Sequence, residues 1–397
     1  MTYHFADRVA NLSPSAIREI LKYTADPEVV SLAAGNPAPE AFPTAALADI
    51  SACVLRERPI DALQYSFTEG YPALRNRLKA YMAQKHHAFD PAQDELIITS
   101  GAQQVMELAV KVLCNPGDAV ICEAPSFIGS LNSFRSLGAR LVGVPVEEDG
   151  MDTAALEEAL RQNPDARFIY TIPNFQNPTG ITMSMEKRRA VYALAKRYGV
   201  LVLEDNPYGD LRFAGEPIPA IKSLDTDGIV LYAGTFSKVL SPGMRVGYAI
   251  GPKPVIAKMT VAKQGEDVHT NIWAQILCDE FMGTVDYEAH LRGLQAIYRE
   301  KAALMCRLLD EHLVPAGVTY HPIEGGLFIW CELPAGADMP AFCTRAVTEH
   351  KVAVVPGNAF SIGDEPCRAF RVNFSTPTDE AMTRGVQRLG AFAKAFL

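Results

Sequence analysis

One lysine stands in an unusual setting in the segment AGTFSKVLSPGMRVGY, residues 233–248. Lys238 follows Ser237 and precedes an apolar run, with Thr235 just before it and Arg245 further along the same segment. A lysine that is withdrawn from water loses its ammonium proton more readily, because burial disfavours the charged form, and it is then a good amine nucleophile. The alternative is a lysine whose aliphatic stem packs on apolar surface while its charge stays in water.

Further polar residues come where other apolar segments end. Asp205 follows GVLVLE and precedes Tyr208; its carboxylate needs a cationic partner, such as a ring nitrogen, or acts as a cap in the turn DNPYGD. Asn177 lies in IPNFQNPTG, where its amide either hydrogen-bonds a phenolic oxygen or forms a tight turn. Arg371 lies among apolar residues in CRAFRVNFS and requires a carboxylate partner, either internal or the α-carboxylate of a substrate.

The junction TSGAQQ is a candidate anion-binding site. This segment follows the predicted strand DELIITS and opens the predicted helix GAQQVMELAVKVL. Free backbone N–H groups at a helix start attract an anion, and the helix dipole adds to that attraction. The alternative is an ordinary helix cap at Ser100. Neither GxGxxG nor GxxxxGK[ST] occurs, which disfavours a nicotinamide or P-loop nucleotide site.

The pattern of elements predicts where these residues meet. From about residue 45 to 285, apolar runs such as ARFIYTIP, VLVLEDNPY and GIVLYAGTFSK alternate with helical segments. Such runs indicate a largely parallel sheet covered on both faces, with ligands at the carboxyl ends of its strands. A long helix over about 286–313 leads into an α+β region, onto which the first 40 residues could pack. We therefore predict a large domain over 45–285 and a small domain formed by 1–44 and 286–397.

Composition excludes several classes of protein. The chain has 397 residues, enough for two domains, and a net charge of −9, which argues against a nucleic-acid surface. It lacks the roughly 18 consecutive apolar residues of a transmembrane helix and the pattern of a secretory signal, so we expect a cytoplasmic protein. Its 8 cysteines include no CxxC pair, and we expect no metal site.

In their order along the chain, these segments resemble the fold-type-I enzymes that depend on pyridoxal 5′-phosphate (PLP). The resemblance is closest to the class I and II aminotransferases of the 2-aminoadipate and kynurenine aminotransferase group. It covers essentially the whole chain through the motifs SLAAGNPAPEAFP, LQYSFTEGYPALR, TSGAQQ, PNFQNPTG, EDNPYGDLR, GTFSKVLSPGMRVGY, EGGLFIW and FRVNFS. It implies an α/β fold of PLP-dependent transferase type I, with a large domain around a mostly parallel sheet and a smaller α+β domain.

The resemblance also implies roles for individual residues. Lys238 would join the cofactor aldehyde and move a proton, while Asp205 would hold the ring nitrogen protonated. The remaining roles that it implies are these: Asn177 and Tyr208 at the ring's 3′-oxygen; Ala102, Gln103, Thr235, Ser237 and Arg245 at the phosphate; Phe127 stacked on the ring; Tyr65 at the phosphate of the neighbouring subunit; Arg371 at the substrate α-carboxylate; Gly35 and Asn36 on the substrate side; and Arg18 at a side-chain carboxylate of the substrate.

We therefore expect a homodimeric aminotransferase with shared active sites and ping-pong kinetics. The amino donor would be of the 2-aminoadipate, aromatic, branched-chain or kynurenine type, and the acceptor a 2-oxo acid such as 2-oxoglutarate. A lyase, decarboxylase or racemase that uses the same cofactor is the alternative, because orientation about the Cα bonds decides among these reactions. A regulator fused to a DNA-binding module is disfavoured, since we see no basic module before the enzyme-like region.

Overall fold

The computed structural model describes residues 3–6, 9, 20, 22–363 and 366–397. Its strands are β1 (Val30–Ser31), β2 (Asp94–Thr99), β3 (Ala119–Ala124), β4 (Arg140–Glu147), β5 (Gly150–Met151), β6 (Phe168–Thr171), β7 (Leu201–Asp205), β8 (Val230–Thr235), β9 (Gly247–Pro252), β10 (Thr319–Tyr320), β11 (Phe328–Glu332), β12 (Val352–Ala353), β13 (Val355–Pro356) and β14 (Ala369–Asn373). Its α-helices are α1 (Thr44–Glu57), α2 (Pro59–Leu63), α3 (Pro72–Lys85), α4 (Ala102–Leu113), α5 (Ile128–Ser136), α6 (Thr153–Gln162), α7 (Met185–Tyr198), α8 (Lys253–Gln264), α9 (Ile272–Thr284), α10 (Tyr287–His312), α11 (Met339–Thr348) and α12 (Asp379–Phe396).

A central sheet of eight strands has the order β2-β9-β8-β7-β6-β3-β4-β5. Strands β8, β7, β6, β3 and β4 run parallel to one another, whereas β9 is antiparallel to both of its neighbours and β5 is antiparallel to β4. Every residue of β6 is buried, which explains why this apolar run shows no alternation. The predicted mostly parallel sheet is confirmed.

The helices begin and end largely where local sequence signals place them. Ser184 caps α7 by accepting a hydrogen bond from the N–H of Lys187, and Gly199 ends the helix with a φ of 70°. The predicted long helix over about 286–313 is α10. The proposed cap at Ser100 is wrong, because α4 begins at Ala102 and no side chain caps it. Within the described ranges, no helix is long and apolar enough to cross a membrane.

A second, antiparallel sheet has the order β10-β11-β14-β13. It pairs Trp330 of β11 with Arg371 of β14, which places the arginine on a strand. Near the N-terminus, β1 pairs in parallel with β12, so residues 30–31 join the C-terminal region. One large apolar cluster extends from the central sheet into this region. The domain boundaries near residues 45 and 285 therefore stay a prediction.

Candidate active site

A cavity of about 290 Å³ lies at the carboxyl ends of β6, β7 and β8, where ligands bind in parallel sheets. The predicted site residues that line it are Gly35, Ala102, Gln103, Phe127, Asn177, Asp205, Tyr208, Thr235, Ser237, Lys238, Arg245 and Arg371. Tyr65 is absent from this lining, and 79% of its surface is exposed. Arg18 lies outside the described residues. Residues far apart in the chain thus meet around one cavity.

Lys238 lies in the turn that follows β8 and points into the protein rather than into water. Its Nζ donates a hydrogen bond to the carbonyl oxygen of Gly35 at 2.8 Å. Burial lowers the pKa of Lys238 to about 8, and the nearby positive charges of Arg371 and Arg245 contribute to this shift. At pH 7 about a tenth of the amine is therefore neutral, and the neutral amine is the state that a nucleophile or a proton acceptor needs.

Asp205 ends β7 with one oxygen engaged and one oxygen free. Oδ2 accepts a hydrogen bond from the hydroxyl of Tyr170 at 2.9 Å, whereas Oδ1 is buried and has no partner among the described residues. Burial raises the pKa of Asp205 to about 7, and the bond from Tyr170 offsets part of that shift. No backbone N–H of the described residues bonds this carboxyl, so the turn-cap interpretation is wrong. A cation at Oδ1 would satisfy both the free oxygen and the buried charge.

Arg371 is buried and has spare donor capacity. Its Nη1 donates to Oδ1 of Asn177 at 2.7 Å and its Nη2 donates to the carbonyl oxygen of Ala33 at 2.8 Å. The guanidinium also lies 4.0 Å from the ring centre of Phe328, a cation–π contact. Burial lowers the pKa of Arg371 to about 10, so it stays charged at neutral pH.

No carboxylate among the described residues pairs with Arg371. Both of its bonds go to neutral oxygens, and its Nε is buried without a partner among the described residues. Of the two alternatives that the sequence leaves open, an internal carboxylate is thus wrong within the described part of the chain. A carboxylate that enters the cavity would fit, because it can accept in the plane of the guanidinium. Tyr208 lies close by, with its ring 5.9 Å from that of Phe328 in an edge-to-face contact.

The opposite end of the cavity is built from a helix start and an arginine. Gly101 precedes α4 with a φ of 73°, and a Cβ added to it would lie 2.3 Å from Nη2 of Arg245. Arg245 donates to the carbonyl oxygen of Ser100 at 3.1 Å and lies 3.4 Å from Oγ of Ser237. The hydroxyl of Thr235 donates to Oγ of Ser237 at 3.0 Å. Hydroxyls, a guanidinium and the first N–H groups of α4 thus surround one space that suits an anion.

The side chain of Gln103 differs from expectation. Its Nε2 donates to the carbonyl oxygen of Gly129 at 2.9 Å and to Oγ of Ser133 at 2.7 Å. Since both amide hydrogens are used on α5, the backbone N–H of Gln103 is what it can offer to a phosphate. The neighbouring Gln104 instead accepts a hydrogen bond from the N–H of Ser100 at 2.8 Å and so shapes the turn.

Four residues that hold Asp205 and Arg371 in place were not predicted from the sequence. Tyr170 holds Asp205, and Ser130 in turn lies 2.8 Å from the hydroxyl of Tyr170. Phe328 and Phe360 both lie against the guanidinium of Arg371. A tyrosine inside the buried strand FIYT is a local signal for Tyr170, because a buried hydroxyl needs a partner.

The geometry agrees with comparisons to known proteins. The model of the family described as aminotransferase class I and II matches residues 27–389. The chain belongs to this family. It is 38% identical over 397 residues to 2-aminoadipate transaminase of Thermus thermophilus, which is 99% of this chain and 97% of the relative. It is 35% identical over 395 residues to aromatic-amino-acid aminotransferase 1 of Thermococcus litoralis, which is 98% of this chain and 94% of the relative.

A solved structure of the family extends the comparison to the cofactor. The aminotransferase resembles LysN, an α-aminoadipate aminotransferase from Thermus thermophilus that was solved with N-(5′-phosphopyridoxyl)-L-leucine. The TM-score is 0.90 and the identity 37%, and the match covers 99% of this chain and 97% of that chain. The predicted PLP-dependent transferase fold of type I is confirmed, and PLP is the cofactor of this aminotransferase.

The residues around the cavity fit PLP. An aldehyde requires an amine, and Lys238 presents one whose pKa is lowered to about 8. A cationic ring nitrogen requires an anion, and Oδ1 of Asp205 is buried without a partner among the described residues. A phosphate requires donors, and the missing Cβ of Gly101 lets the guanidinium of Arg245 pack directly beside the start of α4. The three requirements are met around one cavity.

Proposed function

We propose that this aminotransferase moves the amino group of an L-amino acid to a 2-oxo acid such as 2-oxoglutarate in a ping-pong sequence. The donor would have a 2-aminoadipate-like, aromatic or branched-chain side chain, in line with the names of its relatives and with the leucine adduct in LysN. The observation that carries the proposal is the buried guanidinium of Arg371, whose Nε has no partner among the described residues. The same cavity also contains the amine of Lys238.

The residues would divide the work of the reaction. When bound, PLP supplies an aldehyde that takes up the donor amino group and a cationic ring that withdraws electrons from the donor Cα. Lys238 would hold the aldehyde until the donor arrives and would then move a proton between the donor Cα and C4′ of the cofactor. Asp205 would keep the ring nitrogen protonated. Arg371 would bind the donor α-carboxylate and so orient the Cα–H bond.

Other residues would hold the cofactor in place. Asn177 and Tyr208 would hydrogen-bond the 3′-oxygen of the ring, and Phe127 would stack on its face. The phosphate would be bound by the N–H groups of Ala102 and Gln103 together with Thr235, Ser237 and Arg245. Phe127 carries no hydroxyl, so its contribution would be stacking alone.

We further propose a homodimer in which Tyr65 reaches the phosphate of the partner subunit. Tyr65 is exposed, and so are Ile60, Leu63 and Phe67 around it, at 71%, 71% and 63%. Apolar side chains exposed together in this way favour an interface. Light scattering should give twice the chain mass. A mixed dimer of Tyr65→Ala and Lys238→Ala subunits should regain activity, because one of its two sites has both residues intact; a monomer with full activity would contradict the proposal.

The reaction class can be read from absorbance spectra of the PLP-loaded protein. Addition of an amino acid without a 2-oxo acid should convert the visible band of the bound aldehyde into that of the pyridoxamine form, and 2-oxoglutarate should restore it. Release of CO₂ or ammonia, without the pyridoxamine form, would instead favour the lyase or decarboxylase alternative. A panel of 2-aminoadipate, phenylalanine, leucine and kynurenine would rank the donors.

Replacement of Lys238 tests the centre of the proposal. Lys238→Ala should lower the rate of the amino-donor half-reaction by about 100-fold or more, since general acid–base groups contribute about that much. Lys258→Ala is the matched control, because Lys258 is exposed on α8, away from the cavity lining, and should leave the rate unchanged. A near-normal rate with Lys238→Ala would refute the assignment.

A further inference from the structure

Behind the cavity, Tyr170 joins two residues of the cavity lining. It lies on β6 with no exposed surface, and its hydroxyl is 2.9 Å from Oδ2 of Asp205 and 2.8 Å from Oγ of Ser130. Asp205 and Ser130 both line the cavity, whereas Tyr170 does not. The three residues come from β7, β6 and the start of α5, so this arrangement exists only in the folded chain.

The direction of the hydrogen bonds follows from the available protons. A carboxylate can only accept, so the single phenolic proton of Tyr170 goes to Asp205 whenever Asp205 is ionised. Tyr170 then has no proton left for Ser130, and the hydroxyl of Ser130 must donate to the phenolic oxygen. The chain of donors therefore runs from Ser130 through Tyr170 to Asp205.

These hydrogen bonds determine which oxygen of the Asp205 carboxylate is available to a partner. Since Oδ2 is held by Tyr170, the remaining oxygen, Oδ1, is the one left without a partner among the described residues. The ring of Tyr170 is itself fixed by an edge-to-face contact with Phe134, with 5.3 Å between the ring centres. The carboxyl group therefore cannot rotate freely without losing the bond from Tyr170.

We propose that Tyr170 is a positioning residue that keeps Asp205 ionised and oriented toward the ring nitrogen of PLP, and that Ser130 orients Tyr170. The proposal rests on the role of Asp205 given under the proposed function. Without the phenolic donor, burial would shift the shared proton from the ring nitrogen toward Asp205, because the carboxylate would lose the hydrogen bond from Tyr170 that offsets its burial. A neutral ring withdraws electrons less effectively, so removal of the Cα proton would slow.

Tyr170→Phe tests this directly, since it removes one oxygen and retains the ring. A hydrogen bond to a charged group changes an equilibrium constant by roughly a factor of ten or more, so the dissociation constant of PLP should rise about tenfold. Dialysis of PLP against the cofactor-free protein measures this constant. The limiting rate of the amino-donor half-reaction should fall by about the same factor. The dissociation constant of the amino donor should not change, because Arg371 is left intact. Ser130→Ala should shift both quantities in the same direction by a smaller factor.

Tyr232→Phe is the matched control. Tyr232 is a buried tyrosine of β8 whose hydroxyl accepts a hydrogen bond from Nδ2 of Asn206 at 2.9 Å, and it does not line the cavity. Tyr232→Phe should lower the melting temperature about as much as Tyr170→Phe does, but it should leave the affinity for PLP unchanged. If Tyr170→Phe also lowered only the melting temperature, its role would be structural and the proposal would be overturned.

Asp205→Ala, measured alongside, separates the two levels of inference. If Asp205→Ala greatly weakens PLP binding and Tyr170→Phe does not, the role of Asp205 stands and the role of Tyr170 is refuted. If Asp205→Ala leaves PLP affinity and the half-reaction unchanged, the assignment of Asp205 itself fails, and with it the inference about Tyr170. Losses in both variants, larger for Asp205→Ala, would support both.

Discussion

Replacement of Arg371 by lysine should weaken donor binding without loss of charge. The guanidinium uses two nitrogens on Asn177 and Ala33, at 2.7 and 2.8 Å, and its Nε has no partner in the part of the chain that the structure describes. A lysine at this position would have one ammonium group to serve the same partners and the substrate. It would therefore lose at least one charge-assisted bond to the α-carboxylate, worth about 1.5–3 kcal/mol. At about 1.4 kcal/mol for each factor of ten, donor affinity should fall roughly 10- to 100-fold.

Single-turnover absorbance at increasing donor concentration separates affinity from rate. Arg371→Lys should raise the dissociation constant of the donor, while the dissociation constant of PLP stays near that of the unmodified protein. An amine that lacks the α-carboxylate should bind both proteins equally, because the lost bond is to that group. Arg368→Ala is the matched control, since Arg368 lies near the start of the same strand and pairs with Glu332 at the surface, where such a pair is worth little. Donor affinity that Arg371→Lys leaves unchanged would refute the reasoning.

Two further variants test the phosphate end and the buried carboxyl. Gly101→Ala should weaken PLP binding about tenfold, because its Cβ would lie 2.3 Å from Nη2 of Arg245. Gly117→Ala is the control, since Gly117 also has a positive φ but a Cβ there would meet no atom of the described residues within 4 Å. Equal losses of PLP affinity in the two variants would contradict the argument. Asp205→Asn should stabilise the cofactor-free protein more at pH 8 than at pH 5. Burial raises the pKa of Asp205 to about 7, so the stability that its proton contributes is lost as the pH rises from about 4 to about 7. Thermal melting at both pH values would check this, and a larger gain at pH 5 would contradict it.

The local pattern of apolar and polar residues locates the site residues that lie at strand ends. Lys238 and Asp205 each follow an apolar run, and parallel strands bring their carboxyl ends to one edge of a sheet. A mostly parallel sheet therefore predicts that both residues lie near one ligand. The caps of α7 at Ser184 and Gly199 are local in the same way, since they depend on neighbouring residues along the chain.

Partners between distant residues could not be predicted in this way. Arg371 lies 194 positions from Asn177 and 338 positions from Ala33. Both bonds form because β14 lies beside the loop after β6 and the segment after β1. The resemblance implies Gln103 at the phosphate, yet α5 takes up both amide hydrogens of its side chain, which leaves the backbone N–H for that role. No local pattern of residues shows which of several possible acceptors an amide will meet.

The sequence by itself determined the type of chemistry, because an amine, a carboxylate and a guanidinium flanked by apolar residues require partners wherever they are buried. Only the tertiary structure decided which residues are those partners. It gave Asp205 a donor in Tyr170 and left its Oδ1 free, and it gave Arg371 two neutral acceptors and no carboxylate within the described part of the chain. The physical reason is that burial and hydrogen bonding depend on packing between elements far apart in the chain, whereas residue type and periodicity are local properties.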